Sequence, residues 1–186
     1  MRKLTVFNHV SLDGYFTDRN NDMSWAHVRD DDPEWAAFVK QNAGGGGELV
    51  FGRVTYEMMA GYWPTPAAAK DDPEVAASMN GLPKVVFSRT LERADWSNTR
   101  VRKGNLVDEV RKLKQEPGPG LVLMGSGKIV AQLAPHRLID VYQIVVNPVV
   151  LGAGRTMFEG AEKVALEQTG SRAFKNGKVL LSYEPA

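Results

Sequence analysis

Apolar residues along the chain fall into short runs that polar, glycine-rich or proline-rich stretches separate. Runs rich in branched and aromatic residues predict strands over residues 3–10, 48–51, 84–88 and 121–125. Apolar positions at helical spacing predict helices over residues 31–42, 53–63, 72–80, 105–116 and 127–134. Because strands alternate with helices, this part of the chain predicts a parallel sheet with helices on both faces.

The C-terminal part has a different pattern, because three apolar runs follow one another without helical spacing. Strands are predicted over residues 138–152, 162–174 and 178–184. Asn176-Gly177 separates the last two, and this dipeptide favours the tight turn of a hairpin. The sequence therefore predicts an α/β fold with a mixed sheet, parallel first and antiparallel at its C-terminal edge. No linker or repeat divides the chain, so we expect a single domain over residues 1–186.

A long polar stretch, residues 11–25, is predicted to form a loop with a turn at Asp13-Gly14. Loops of this length inside a domain are often functional. Residues expected to face the core are Trp35, Phe38 and Val39 in the first helix and Ile129, Val130 and Leu133 in the last.

Composition narrows the class of protein. With 186 residues, 43% of them hydrophobic, the chain is large enough for one core. The 23 basic and 22 acidic residues give a net charge of +1 and form no basic patch, so we expect no nucleic-acid partner. Without cysteine, and with three histidines in no ligand spacing, no metal site is expected. No apolar run suits a signal peptide or a membrane span, so we expect a soluble, cytoplasmic protein with no membrane partner.

Gly125-Ser126-Gly127-Lys128 joins a predicted strand to a predicted helix. Such a junction either binds phosphate through free N–H groups at the helix start or uses glycine only for a tight turn. Two named phosphate motifs do not fit, since Ile129 replaces the hydroxyl residue of a Walker A loop and Val130 breaks a G-x-G-x-x-G pattern.

Two other predicted strands also end in polar residues. Gly52-Arg53-x-Thr55 opens a helix, and Ser88-Arg89 ends the next strand. Arg53 and Thr55 either bind phosphate or are a solvated cation and an ordinary residue of the helix start. Ligands of parallel sheets bind beyond the carboxyl ends of the strands, so the three ends together predict a ligand with several phosphates.

The order of "NHVSLDGYFT", "GRVTYEMM", "KVVFSRT", "LMGSGKIVAQL" and "NPVVLGAGRTMFEG" resembles the dihydrofolate reductase superfamily. Within it, the chain is most similar to the C-terminal reductase domain of bacterial bifunctional riboflavin-biosynthesis proteins, whose S-L-D-G and P-x-x-L-G motifs match Ser11–Gly14 and Pro148–Gly152. The resemblance implies a three-layer fold with a mixed, mostly parallel sheet of about eight strands and a C-terminal antiparallel hairpin.

The resemblance implies NADPH as cofactor. The cationic and hydroxyl residues at the strand ends, Arg53, Ser88, Arg89 and Lys128, predict a preference for NADPH over NADH. The residues implied to bind NADPH are Gly52, Arg53 and Thr55, then Ser88 and Arg89 at the 2′-phosphate, then Gly125, Ser126, Gly127, Lys128 and Ile129 at the diphosphate. Dihydrofolate reductases have two consecutive glycines joined by a cis peptide at the last of these segments, whereas the second residue here is Ser126.

The resemblance also implies a substrate side. Substrate contacts are expected at His9, Trp25, Phe38 and Arg155. Glu34 and Asp13 are the catalytic candidates, with Asp31 and Asp32 competing for the place of Glu34. The alternatives stay open: Glu34 as an acid at a helix start, Asp13 as a turn residue and His9 as a structural residue.

These features predict an NADPH-dependent reductase of a small heterocycle. The favoured substrate is the phosphorylated ribosylamino-pyrimidine of riboflavin synthesis, and the alternatives are dihydrofolate or a binding module without catalysis. The bifunctional relatives also carry a zinc deaminase with cysteine ligands, which this cysteine-free chain excludes. A homodimer is expected, since the C-terminal strands leave an edge that a second copy would cover.

Overall fold

Ten strands and six α-helices form in the described part of this computed structural model, residues 1–27 and 32–186. The strands are β1 Leu4–Ser11, β2 Tyr15–Asp18, β3 Glu48–Gly52, β4 Lys84–Phe87, β5 Thr99–Arg102, β6 Leu121–Met124, β7 Val141–Asn147, β8 Gly154–Thr156, β9 Leu166–Ala173 and β10 Val179–Pro185. The helices are α1 Pro33–Gly44, α2 Arg53–Tyr62, α3 Pro66–Asp71, α4 Pro73–Gly81, α5 Leu106–Gln115 and α6 Gly127–Leu133.

The chain forms two compact units. The first contains residues 1–3 and 36–126, and the second contains residues 4–35 and 127–186. In the first unit the strand order is β5-β4-β3-β6, and all neighbours are parallel. The carboxyl ends of these strands carry the glycine- and serine-containing junctions that the sequence singles out.

The core of the first unit packs aromatic residues against the sheet. Phe51 stacks on Trp96 with 6.0 Å between ring centroids, and the Tyr56 hydroxyl accepts a hydrogen bond of 3.0 Å from the Trp96 backbone N–H. The side chains of Asp72 and Asn105 cap α4 and α5, because each accepts a hydrogen bond from a backbone N–H in the first turn of its helix. The hydrogen bond between Tyr56 of α2 and Trp96 holds α2 in place and therefore positions the N-terminus of this helix.

Buried charges lie at the amino ends of the same strands. Glu48 accepts hydrogen bonds from Arg2 at 2.8 Å and Arg100 at 2.7 Å. Lys84, which is fully buried, donates to three backbone carbonyls, and its Nζ lies 4.4 Å from the centre of the Trp96 ring. Each charge has partners, which offset the cost of removing it from water.

In the second unit the strand order is β1-β7-β10-β9. β1 and β7 are parallel, whereas β10 is antiparallel to both β7 and β9. Gly177 has a φ of +84° in the turn between β9 and β10, and the Phe174 N–H donates to the Lys178 carbonyl at 2.9 Å. The predicted hairpin at Asn176-Gly177 is confirmed, as is the mixed, mostly parallel sheet with four main strands in each unit.

Several element predictions were wrong in detail. The predicted loop 11–25 contains β2, which pairs with β8, and a 3-10 turn at Ser24–His27. The strand predicted over 138–152 is limited to β7, and the one over 162–174 begins only at Leu166. β5, β8 and α3 had no prediction, because segments of three to six residues carry too little periodicity.

Two predicted core faces had different outcomes. Ile129, Val130 and Leu133 of α6 are all buried, as predicted. Trp35, Phe38 and Val39 of α1 are only half-buried. No helix in the described residues is long and apolar enough to cross a membrane.

Candidate functional site

Two junctions of the first unit are tied together by side-chain hydrogen bonds. The Ser126 hydroxyl oxygen accepts a hydrogen bond of 2.7 Å from the Gly52 backbone N–H. The Ser126 N–H donates to Oγ1 of Thr55 at 3.1 Å, and the two hydroxyl oxygens lie 3.0 Å apart. The end of β3, the first turn of α2 and the residues after β6 thus form one connected structure.

Gly125 and Ser126 both have left-handed backbone angles, with φ of +61° and +58°. The peptide bond between them is trans. A non-glycine residue in this region is strained, and the three contacts of Ser126 with Gly52 and Thr55 hold it there. A hydroxyl residue at position 126 thus supplies hydrogen bonds that a second glycine would lack.

The N-terminus of α2 has room for a negatively charged group. Gly52 precedes the helix, and no side chain caps the first turn. Val54 in this turn is 72% exposed, so the turn is open to solvent. Uncapped N–H groups at the positive end of a helix dipole favour phosphate. The residues of this junction therefore fit the diphosphate of a dinucleotide.

Hydroxyl and cationic residues surround this junction to different degrees. Arg53 forms an ion pair with Glu57 at 3.0 Å on the surface of α2. Ser88 accepts hydrogen bonds from the N–H groups of Thr90 and Leu91, at 3.2 and 2.9 Å, and so orders the turn after β4. Arg89 is exposed and has no ion pair among the described residues, which leaves its guanidinium available.

Three of the predicted cofactor residues belong to the second unit, in the first turn of α6. Gly127 begins this helix, which has only seven residues. Lys128 is exposed, whereas Ile129 is 6% exposed and belongs to the core. A cofactor would therefore meet Ile129 only through its backbone.

The Asp13 carboxylate connects two loops. It accepts hydrogen bonds from the Ser11 hydroxyl at 2.6 Å and from the backbone N–H groups of Leu151 at 3.1 Å and Gly152 at 2.8 Å. The Ser11 hydroxyl, followed by these N–H groups, lowers the pKa of Asp13. The geometry gives Asp13 a structural role that joins the S-L-D-G turn to the P-x-x-L-G segment.

Glu34 and Asp32 both hold the start of α1. Glu34 is about half-exposed and accepts a hydrogen bond of 2.6 Å from Arg172 of β9. Asp32 is buried and accepts N–H bonds from Glu34 at 2.9 Å and Asn176 at 3.1 Å. Burial alone would raise the pKa of Asp32, but the N–H groups outweigh it and hold the pKa below its usual range. Asp31, the other competitor, lies outside the described residues.

His9 lies buried on β1. Burial, and then the nearby His27 and Lys178, lower its pKa to about 3, so the ring is neutral near pH 7. Nδ2 of Asn147 lies 3.3 Å from Nδ1 of His9 and donates to the backbone carbonyls of Val10 and Val145, both at 3.1 Å. Oδ1 of Asn147 is buried and has no partner among the described residues, so it is a fixed acceptor beside a neutral imidazole.

An aromatic cluster forms around His9, and we use this name for His9, Trp35, Phe174 and Lys178. The Trp35 ring meets His9 and Phe174 edge-on, with 5.9 and 5.0 Å between ring centroids. Nζ of Lys178 lies 4.5 Å from the centre of the Trp35 ring. Lys178, Phe174 and Asn147 could not be predicted as site residues, because only the fold brings these distant positions together.

The remaining predicted substrate residues lie elsewhere in their units. Nε1 of Trp25 donates to the Asp22 carbonyl at 3.1 Å. Arg155 on β8 lies 3.6 Å from Glu159 and donates to Asn21 at 3.4 Å. Phe38 is half-buried on α1, one turn after Trp35. The structure brings His9 together with Trp35 and Asn147, but it does not bring Trp25 and Arg155 into the aromatic cluster.

The sequence profile of the RibD C-terminal domain matches residues 2–180. The chain belongs to this family. A curated relative, the uncharacterized protein YyaP of Bacillus subtilis (strain 168), is 26% identical over 183 residues, which are 98% of this chain and 94% of the relative. The recognised family and the fold class expected from the sequence are thereby confirmed.

Solved structures similar to this RibD C-terminal domain share its fold. A putative riboflavin biosynthesis protein from Shewanella sp. PV-4 matches with a TM-score of 0.74 and 22% identity over 99% of both chains. A diaminohydroxyphosphoribosylaminopyrimidine deaminase/5-amino-6-(5-phosphoribosylamino)uracil reductase from Thermotoga maritima matches with a TM-score of 0.70 and 16% identity. This chain is covered completely there and corresponds to 57% of the longer protein.

Proposed function

We propose that this protein is an NADPH-dependent reductase that acts on a pyrimidine related to the intermediates of riboflavin synthesis. The proposal rests on one observation: hydrogen bonds join Gly52, Thr55 and Ser126 beside the uncapped start of α2. It is supported by membership of the RibD C-terminal domain family and by the Thermotoga maritima relative, which is described as a uracil reductase.

In this proposal the first unit binds the dinucleotide. The N–H groups of the first turn of α2 would meet its diphosphate, and Arg89 and Ser88 would meet its 2′-phosphate. Bound NADPH would supply the hydride. Arg53 would contribute after giving up its exposed ion pair with Glu57, which costs little. The assignment of Gly127, Lys128 and Ile129 to the diphosphate rests on the family resemblance.

The second unit supplies groups suited to a heterocycle. Neutral His9, which is 9% exposed, is suited to a ring N–H, as found in a pyrimidine. A pteridine substrate would need a free buried acid, but Glu34 is exposed and paired, and Asp32 accepts backbone N–H groups. These observations favour the riboflavin-type pyrimidine over dihydrofolate. Substrate contacts of Trp25, Phe38 and Arg155 stay predictions, as do catalytic roles of Asp13 and Glu34, for which we favour the structural alternatives.

A homodimer and a cytoplasmic location belong to the same proposal. β9 is the outer strand in the second unit, and all but one of its eight residues are exposed. An outer strand with free backbone groups is a surface on which a second copy can pair.

The proposal is tested by two successive measurements on the purified protein. The first is NADPH binding by calorimetry. The second is the loss of nicotinamide absorbance with a panel that contains the ribosylamino-pyrimidine phosphate, its dephosphorylated form and dihydrofolate. We expect micromolar NADPH binding and turnover of the phosphorylated pyrimidine.

Other results separate the alternatives. Turnover of dihydrofolate alone would replace the substrate assignment with the pteridine alternative. NADPH binding without turnover of any pyrimidine or pteridine would support a binding module without catalysis. Absence of NADPH binding at high micromolar concentration would reject both the reductase and the binding module.

A further inference from the structure

The outer strand β9 of the second unit presents an open edge. In the described part of the chain β9 pairs only with β10, so the backbone groups on its other side have no strand partner. The Phe174 N–H donates to the Lys178 carbonyl, on the β10 side, at 2.9 Å. Because the direction of backbone groups alternates along a strand, those of Arg172 also meet β10, whereas those of Ser171 and Ala173 point outward.

The two charged residues of β9, Glu167 and Arg172, lie on the same face of the sheet. Glu167 is opposite Glu184 of β10, and Arg172 is opposite Leu180. Leu180 and Glu184 are four residues apart on a regular strand, so their side chains share a face. A register shift between the two strands adds one residue to β9, and Glu167 and Arg172 therefore share that face although they are five residues apart.

Each of these charges has an interaction that an opposite charge would improve. Glu167 and Glu184 are exposed carboxylates directly opposite each other, which is unfavourable for like charges. Arg172 donates to Glu34 at 2.6 Å, but its side chain is 44% exposed and a guanidinium has donors for a second carboxylate. Within one chain Glu167 and Arg172 lie about 15 Å apart along the strand, too far to pair.

An antiparallel second copy of β9 brings the two charges together. When Arg172 lies opposite the partner's Glu167, the next residue, Ser171, lies opposite the partner's Gln168. Residues that face each other must lie on the same side of the sheet, and Ser171 and Gln168 do, since both are on the side away from the charges. A shift of one residue breaks this match, and a shift of two leaves both charges unpaired.

We propose that β9 binds antiparallel to β9 of a second copy of this chain, in the register that sets Arg172 opposite the partner's Glu167. This contact rests on the homodimer of the proposed function, whose interface it assigns. Two-fold symmetry forms the ion pair twice, and exposed Leu166 then lies opposite the partner's Ala173. Cζ of Arg172 also lies 4.8 Å from the centre of the Phe174 ring, so the interface borders the aromatic cluster.

Charge reversal tests the ion pair. The dimer dissociation constants of wild type, Glu167→Arg, Arg172→Glu and the double variant are measured by analytical ultracentrifugation. Each single reversal sets like charges opposite each other and should weaken the dimer at least tenfold, whereas the double variant should return to within threefold of the wild type. Arg111→Glu on α5 breaks only an exposed pair with Asp108 and should change the constant less than twofold. Because Glu167→Arg does not touch α1, it tests the contact even if Arg172→Glu fails to fold.

Disulfide cross-linking tests the register, because the chain has no cysteine of its own. Proteins carrying Ser171→Cys and Gln168→Cys are mixed under a mild oxidant. Opposite residues of antiparallel strands have Cα atoms about 5 Å apart, within the reach of a disulfide. The mixture should therefore cross-link, whereas either variant alone, and Ser171→Cys mixed with Leu166→Cys, should not.

Three results would overturn the proposal. They are a wild type that stays monomeric at high micromolar concentration, a single reversal that leaves the dissociation constant unchanged, and cross-linking that is equal in the two mixtures. None of these measurements uses NADPH or a pyrimidine, so failure of this interface is distinguishable from failure of the reductase.

Discussion

The Cβ atom that Gly125 lacks would lie 2.7 Å from Cγ2 and 2.9 Å from Oγ1 of Thr55. Real Cβ atoms do not approach so closely, so residue 125 allows Thr55 to reach Ser126. The same residue has a left-handed φ that other residues adopt only with strain. Two separate physical reasons therefore require glycine at this position.

We predict that Gly125→Ala destabilises the protein and weakens NADPH binding. Backbone strain costs about 1–2 kcal/mol, and the clash with Thr55 adds roughly 1–3 kcal/mol. Gly46→Ala is the matched control, since Gly46 has a φ of +68° but nothing within 4 Å of its Cβ position. Urea unfolding and NADPH titration measure both variants. Equal losses of stability in the two would show that Thr55 yields without cost.

His9 makes stability depend on pH in a defined window. Its pKa is about 3 in the folded protein, against 6.5 for an ordinary histidine. Below pH 6.5 the unfolded chain binds a proton that the folded protein does not, so the stabilising contribution is complete above pH 6.5 and is lost as the pH falls toward 3. We predict a loss that approaches about 1.4 kcal/mol per pH unit inside this window.

The measurement is the free energy of unfolding between pH 7 and pH 4 for wild type, His9→Gln and His136→Gln. The difference between wild type and His9→Gln should shrink with falling pH, because the variant lacks the titrating ring. His136 is exposed, so its variant should follow the wild type. A pH-independent difference for His9→Gln would contradict a buried, neutral imidazole.

Arg89 is predicted to recognise the phosphate that distinguishes NADPH from NADH. Its exposed guanidinium has no ion pair among the described residues, so no competing contact must break. A charge-assisted hydrogen bond contributes roughly 1.5–3 kcal/mol, so Arg89→Ala should weaken NADPH about tenfold or more. NADH should change less than twofold, and Arg111→Ala on α5 serves as the control. Parallel losses for both dinucleotides would assign Arg89 another role.

Side-chain contacts hold the start of α1 against the hairpin of β9 and β10. Asp32 accepts the Asn176 N–H, Glu34 pairs with Arg172, and Trp35 packs against Phe174 and Lys178. A helix whose side chains are only half-buried needs such contacts, because apolar burial alone does not fix it. Asp32 and Glu34 therefore position a helix.

We predict that Glu34→Gln keeps nearly full turnover. An exposed carboxylate paired with Arg172 is poorly placed to deliver a proton, so kcat should change less than threefold. Loss of the ion pair should cost at most about 1 kcal/mol of stability. Glu74→Gln, which breaks the exposed pair with Lys40, is the control. A fall in kcat by orders of magnitude with intact NADPH affinity would restore Glu34 as the catalytic acid.

The regular elements could be predicted because their signals are local. Strands β1, β3, β4 and β6 are runs of branched residues, and α5 and α6 have helical spacing between clear end signals. β5 could not be predicted, since "TRVR" alternates with charged residues and is a strand only through pairing with β4. The S-L-D-G stretch predicts a turn. It does not predict β2, because the partner strand β8 lies far along the chain.

The candidate site divides in the same way. Glycine and hydroxyl residues at strand ends carry a phosphate signal in the sequence, and the structure joins Gly52, Thr55 and Ser126. The aromatic cluster has no such signal, because its members come from β1, α1 and the C-terminal hairpin. Asn147 is recognised as a site residue only in the structure, where its amide donates hydrogen bonds to two backbone carbonyls.

The whole molecule carries almost balanced charge, with a net value of +1. Weak net repulsion between copies allows association through the outer strand β9. We predict a homodimer in sedimentation equilibrium at micromolar concentration. Gly170→Pro would remove a backbone donor from β9 and should shift the protein toward the monomer. A monomeric wild type at these concentrations would contradict the dimer.

The contact of Gly125 with Thr55 also limits how this chain and its relatives can vary. A side chain at position 125 fits only where residue 55 is smaller than threonine. A smaller residue at position 55 gains no contact while residue 125 stays glycine. At position 126, serine and threonine can both offer an oxygen to the Gly52 N–H, whereas alanine cannot. Positions 52, 55, 125 and 126 should therefore change together among homologues, because their side chains and backbone groups contact one another where the two junctions meet.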